Sequence, residues 1–413
     1  MMRASRRQRV VMITPLVSEE NPEHAGGVLI SRTSRWLADR ADVSVIVPDG
    51  PAVRRARPAS WLRDVVILET PAQRSALRSR VSRFLETGRA SRWMHHRLRE
   101  DPAATRLLHE ADVVDLQWQE QADLLRTIRR INPSARTVVT LHDVLSQQLS
   151  RAAQTSPRTG ISRLLLNVYS RWAVGRVRRD ERRLATGSGG PDALVVLSEK
   201  DAALLPRSPR VRTLPPPVDL PAASTRSVEE SAPPTILFVA YLARWSNEQG
   251  LRWFLREVLP GIRQQVPDVR MRIAGGGIRD TVRRDADGTG AELLGFVPDL
   301  AEEYARADVA VVPLLQGAGV KFKTLDALAS EVPVVTTPVG AEGIGDDSWF
   351  AGVTSDPEAF ADAVVSVLGA PASYRRRSEA VAAELRRRFG SEAAERALST
   401  IHPDLSSPTG SAS

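Results

Sequence analysis

Short runs rich in valine and isoleucine recur through the first half of the chain, at residues 10–14, 43–47, 65–68, 113–116, 138–141 and 194–197, each separated from the next by a segment of helical pattern. Runs of that length suit a buried strand and are too short for a helix. Strand, helix, strand, repeated, predicts a parallel sheet with helices on both faces. The first run leads through a long loop to His24-Ala25-Gly26-Gly27, and residues 28–40 then read as a helix with Leu29, Trp36 and Leu37 turned inward. This is a Rossmann-like opening, although the glycine spacing of the dinucleotide fingerprint is absent.

Pro215-Pro216-Pro217 and the polar stretch 221–234 interrupt the pattern as a linker would. A second unit then begins with a strand run at 236–239, followed at helical spacing by Leu251, Phe254, Leu255, Val258, Leu259 and Ile262. Residues 269–274 run into Gly275-Gly276-Gly277, and 293–297, 309–313 and 332–336 supply further strands. The fold class expected is α/β, two Rossmann-like doubly wound domains facing a central cleft. The first would span 1–222, a linker 223–234 and the second 235–372, with helices over 373–400 packing back on the first domain and a disordered tail over 401–413. A length of 413 residues suits two such cores.

Composition narrows the chemistry. With no cysteine, disulfides, thiolate zinc sites and thiol nucleophiles are excluded. The formal net charge is +8, but basic and acidic residues are interspersed, which argues against nucleic acid as a partner, and no groove-reading module is visible. The basic amino terminus lacks a cleavage-type sequence and no stretch is long enough to span a bilayer, so the expected location is cytoplasmic. Residues 74–98 are amphipathic and basic, with Leu77, Val81, Phe84 and Leu85 on one face and Arg74, Arg78, Arg80 and Arg83 around it. They read either as an ordinary helix with a solvated arginine face or as a peripheral contact with the inner membrane face. The histidines lack ligand spacing and no metal site is expected.

Of 57 basic residues only Lys200, Lys321 and Lys323 are lysine, so two of the three stand almost side by side. They belong to a strand from Asp308, a glycine loop over 316–323 and a helix over 324–330. That order puts Gly317, Gly319, Val320, Lys321 and Lys323 at the carboxyl end of a strand and the start of a helix. There, free backbone N–H groups, the helix dipole and a compact ammonium favour phosphate.

The segment Gly317 to Ile344 resembles the donor-site segment of the retaining glycosyltransferases of family four, glycosyl transferases group 1. The resemblance extends to Phe238-Val-Ala-Tyr-Leu, Ser246-Asn-Glu-Gln-Gly, Ile273-Ala-Gly-Gly-Gly and Leu294-Gly-Phe-Val-Pro-Asp-Leu. In the first half it is thinner, resting on Gly26-Gly27, Thr140-Leu-His-Asp and Val196-Leu-Ser-Glu-Lys-Asp. It implies the GT-B fold, a nucleoside-diphosphate sugar as donor substrate with no tightly bound cofactor, and no required metal. The acceptor would be a hydroxyl, lipid-linked in many relatives.

By position, Asp326 stands for the second of the family's paired glutamates, which accepts from the nucleotide ribose, while the first would fall at Ala318. Arg244 lies near a basic residue that meets the diphosphate, with Lys323 as a second cation, or it is one more solvent-facing arginine. His142, after a strand of the first domain, matches a histidine that faces the donor sugar, and Asp143 would orient it or cap the next helix. Gly26 and Gly27 either close over the diphosphate or make a tight turn before a helix. The substitutions at Ala318 and Asp326 leave a second reading, a catalytically degenerate member that binds a nucleotide sugar or a partner. An epimerase on the same fold is a third, with no pattern demanding it.

Overall fold

The computed structural model describes residues 6–20, 22, 25–70, 88–154, 160–217 and 233–405. The chain divides into two compact units, residues 1–215 with 394–413, and residues 216–393. Most of the amphipathic region at 74–98, the linker residues 223–232 and the tail from 406 lie outside the described residues.

The first unit contains β1 (Arg9–Ile13), β2 (Asp42–Pro48), β3 (Asp64–Leu68), β4 (Val113–Gln117), β5 (Arg136–Leu141), β6 (Ala193–Val196) and β7 (Val211–Thr213). They form one parallel sheet in the order β3-β2-β1-β4-β5-β6-β7. The valine-rich register, with Val10 between Val43 and Val113, places fully buried side chains on both faces. Helices must cover those faces, and Leu98, Leu108 and Ile128 from the crossovers do so.

The second unit repeats the plan with β8 (Thr235–Val239), β9 (Arg270–Ala274), β10 (Glu292–Gly295), β11 (Val309–Val312), β12 (Val334–Thr336) and β13 (Gly352–Val353). Its parallel order is β10-β9-β8-β11-β12-β13. Phe238, Phe254 and Phe360, none measurably exposed, anchor its core. Each sheet winds outward from its first strand and then jumps back beside it, so the order reverses between β1 and β4 and again between β8 and β11. The carboxyl ends at such reversals are where open α/β sheets leave a crevice.

Two edge strands, β7 and β13, have only three and two residues and carry no apolar run. The helical run around 251–262 is not one regular helix. An α-helix over Trp245–Trp253 passes into a π-helical turn over Phe254–Val258 and returns to α over Leu259–Gln265. Pro260 has no N–H to donate and its ring crowds the carbonyl four residues back; one residue earlier, the Leu259 N–H reaches the Phe254 carbonyl instead.

The carboxyl-terminal helices differ from expectation. The helix Pro371–Phe389 packs against the helix Phe322–Ala329 inside the second unit, and only residues from Ala394 belong to the first. The chain is also ordered past 401: Ile401, His402 and Leu405 are buried. Glu395 accepts from the Trp36 indole and the Arg40 guanidinium, and Arg136 Nη2 donates to the Ile401 carbonyl at 3.0 Å. Ile401→Ala should therefore cost about 2–4 kcal/mol, the usual penalty for emptying a buried site, read as a lower urea midpoint. No helix among the described residues is long and apolar enough to cross a membrane.

Candidate functional site

In the second unit the reversal between β8 and β11 is lined by the loops that follow those strands. After β11 the chain passes Gly317 at φ +136° and Gly319 at φ +69°, conformations that side-chain-bearing residues rarely hold. Ala318 between them and Val320 after them are both buried. Three threonines fix the frame beneath: Thr324 Oγ1 donates to the Gly340 carbonyl at 3.0 Å, Thr336 Oγ1 to the Val312 carbonyl at 2.9 Å and Thr337 Oγ1 to the Leu314 carbonyl.

The two neighbouring lysines do different work. Lys321 folds its ammonium back onto its own loop, donating to the Ala318 carbonyl at 2.9 Å and to the Gly319 carbonyl, with Glu342 at 3.9 Å. Its charge is occupied in holding the glycine turn. Lys323, on the first turn of the helix Phe322–Ala329, reaches across to β8 instead. Its Nζ donates to Asn247 Oδ1 at 2.6 Å and lies 5.9 Å from the ring centre of Phe238. Burial, then the positive charges of Arg244 and Lys321, pull its pKa from 10.5 down to about 7.

Asn247 is itself held, donating from Nδ2 to the Tyr241 carbonyl at 2.8 Å. Its neighbour Glu248 is buried but accepts from Arg279 at 2.9 Å and Thr281 at 2.6 Å. Arg244 is exposed and pairs with no acid among the described residues. Its charge is nevertheless near enough to be felt at Lys323. Asp326 is half-buried one turn along the helix, where its charge adds to burial in raising the Tyr304 phenol well above its ordinary value. The site thus gathers Gly317, Gly319, Val320, Lys321, Lys323 and Arg244 at one strand-end cluster, with Asp326 behind. Ordered cations and the first-turn amides of a helix form a surface suited to a diphosphate.

In the first unit the reversal between β1 and β4 gathers the other predicted residues. Gly26 and Gly27 are not a turn before a helix; they lie in the first turn of the helix Ala25–Ala38. Trp118, just after β4, explains the first of them, since a Cβ on Gly26 would fall 2.9 Å from the indole. Trp118 also stacks on His142, ring centres 3.7 Å apart and planes within 8°. His142 is 8% exposed and its Nε2 lies 2.9 Å from Gln117 Oε1. Burial lowers its pKa to about 3, so the ring is neutral at physiological pH.

Sequence reasoning included Asn247 in the Ser246-Asn-Glu-Gln-Gly segment without giving it a role, and passed over Gln117 and Trp118. Gln117 had a signal: Asp115 and Gln117 are the polar residues of a strand that is buried end to end. Among the described residues no group of three or more histidines and acids is placed to hold a metal ion.

Residues 233–370 match the family described as glycosyl transferases group 1. An uncharacterized 44.6 kDa protein in the cps region of Klebsiella pneumoniae is 36% identical over 118 residues, 27% of this chain; the match spans 30% of that protein's length. Among solved structures, sucrose-phosphate synthase from Thermosynechococcus elongatus is similar over 97% of this chain and 99% of its own, with TM-score 0.67 and 16% identity. HepE of Anabaena in complex with UDP and glucose is similar over 97% of this chain and 100% of its own, with TM-score 0.62 and 12% identity. TarM of S. aureus follows at TM-score 0.61 and 7% identity, over 96% and 99%. The fold is the GT-B fold, two Rossmann-like domains.

Proposed function

We propose that this chain is a glycosyltransferase that moves a sugar from a nucleoside-diphosphate sugar to a hydroxyl acceptor, with the nucleotide held by the second unit. The observation that carries the reading is Lys323, a partly desolvated ammonium fixed by Asn247 beside Arg244 at the β8/β11 reversal of a glycosyl transferases group 1 domain. Breaking a glycosyl–phosphate bond leaves negative charge on the departing diphosphate. Cations set in place beforehand stabilise that charge without reorganising as it develops. In this reading Lys323 and Arg244 meet the diphosphate, the backbone of Gly317 to Lys321 lines the donor, and Asp326 accepts from the ribose. Retention of configuration, independence from metal and a lipid-linked acceptor rest on the resemblance to family four.

HepE was solved with UDP and glucose, which makes UDP and UDP-glucose the first probes here. Nucleoside diphosphate release from a panel of donors, with the anomer of the product read by NMR, tests the proposal. Release from one nucleotide class with the anomeric configuration of the donor retained supports it, and no release from any donor overturns it.

A pH signature follows from Lys323. A lysine pKa lowered to about 7 means the folded protein pays a penalty for the charge that is complete below pH 7 and disappears by about pH 10.5. A bound diphosphate reverses the preference and recharges the amine. Titration calorimetry with UDP-glucose, whose diphosphate does not titrate in this range, in buffers of different ionisation enthalpy is expected to give uptake of about one proton near pH 8.5 and almost none at pH 5.5. Equal uptake at both would remove Lys323 from the site.

A further inference from the structure

His142 has its hydrogen-bonding polarity set from behind. Asp115 and Gln117, two residues apart on β4, project to the same side and are each 1% exposed. Gln117 Nε2 donates to Asp115 Oδ1 at 2.9 Å and lies 3.3 Å from Thr140 Oγ1. With its amide hydrogens directed there, Gln117 turns Oε1 toward His142. An amide oxygen can only accept, so the neutral ring carries its proton on Nε2 and leaves Nδ1 as a bare acceptor, with no hydrogen-bond partner among the described residues.

The surroundings point to a ligand at this strand end. Trp118 holds φ at 72°, a conformation unfavourable for a bulky residue, and this brings its indole onto the His142 ring. Directly after it, both amide atoms of Gln119 and Oε1 of Gln121 are buried without a hydrogen-bond partner among the described residues. Buried polar atoms are nearly always satisfied, and a cluster that is not marks where a polar ligand or water meets the protein. The helix Gln119–Ala122 that carries them packs on β4 and β5, whose next residue is His142.

We propose that Asp115 and Gln117 are positioning residues that lock His142 in the Nε2–H tautomer, so that Nδ1 accepts from a sugar hydroxyl in a neutral site shared with Gln119. The identity of the ligand rests on the glycosyl transfer proposed above; the tautomer does not. A hydroxyl donates to Nδ1, whereas a phosphate or carboxylate meets only an acceptor and is rejected. The hydroxyl belongs either to the sugar of the donor or to a free acceptor sugar.

Selective 15N labelling of the six histidines, with His142→Gln to assign the signal, reads the tautomer of the full chain directly. The expected spectrum at pH 8 has His142 as Nε2–H; burial pushes the Asp115 carboxyl up to about 7, so as the pH falls below that the Gln117 amide is no longer held in one orientation and the Nδ1–H form should begin to appear. An Nδ1–H ring at pH 8 in the wild type overturns the proposal whatever the variants do. In Gln117→Leu the ring should populate both tautomers, and KM for the sugar substrate should rise by about tenfold, the worth of one lost hydrogen bond, with kcat less affected. Gln117→Leu with an unchanged tautomer would also overturn it. An Nδ1 resonance that moves with UDP-glucose but not UDP assigns the hydroxyl to the donor, and one that moves with free glucose assigns it to the acceptor. If neither sugar moves it while the tautomer holds, the ligand role is overturned and the lock alone stands.

Discussion

Lys323→Ala is expected to lower kcat/KM for sugar transfer by about two to three orders of magnitude, the scale seen when a single electrostatic contact to a developing oxyanion is removed. The ammonium is the one lysine at the β8/β11 reversal whose proton is not committed to its own loop, and Asn247 and Phe238 leave it little freedom to be elsewhere. The fold should not suffer in proportion, because the protein bears a penalty for holding that charge and loses the penalty with the side chain. Lys323→Arg is expected to restore little, since a planar guanidinium cannot take the place of a compact ammonium against Asn247. Steady-state rates with a matched thermal melt check both halves. A fall in melting temperature that accounts for the whole loss of activity would make Lys323 a structural residue.

The largest effect on stability is expected at Gly275. This residue follows β9 with φ at +152°, and a Cβ built there would lie 1.7 Å from the Ala240 carbonyl oxygen. The obstacle is backbone, not the end of a flexible side chain. Around it the loops after β8 and β9 are tied together by Ala240 N–H to the Ala274 carbonyl at 3.0 Å and Leu242 N–H to the Gly276 carbonyl at 2.8 Å. Gly275→Ala should therefore cost about 4 kcal/mol or more, lowering the melting temperature by about 10 °C for a unit of this size. Gly288, in the helix Asp280–Thr289 with nothing near its Cβ position, is the control; Gly288→Ala should be neutral or stabilising by up to about 1 kcal/mol. Equal melts for the two variants would mean that the crowding at Gly275 is not what sets that loop.

Much of this could be read from the sequence because buried parallel strands announce themselves. Every valine-rich run in the first half lies on a strand to within a residue or two, and the glycine loop before Lys321 stands where the end of β11 meets a helix. What escaped was set by tertiary contact. The π-helical turn at Phe254–Val258 depends on which carbonyl Leu259 finds once Pro260 blocks the regular ladder. The reach of Lys323 to Asn247 joins residues 76 positions apart, and nothing in the local pattern separates that lysine from Lys321 two residues earlier. Gly26 and Gly27 read as closing over a diphosphate or as a tight turn before a helix, whereas both lie inside the helix and the indole of Trp118 needs the space at Gly26. Ile401 and Leu405 sit in a polar, short terminal stretch whose burial only the first unit's surface around Trp36 and Arg136 explains.

Hydrogen–deuterium exchange of the full chain with and without UDP and GDP tests the central claim most directly. If the loop after β11 and the first turn beyond it hold a nucleoside diphosphate, one of the two should slow exchange in the peptides covering residues 314–326 and 241–248. Protection there is expected to be lost in Lys323→Ala. A nucleotide that binds while those peptides exchange as in the free protein, or protection confined to the first unit, would contradict the account.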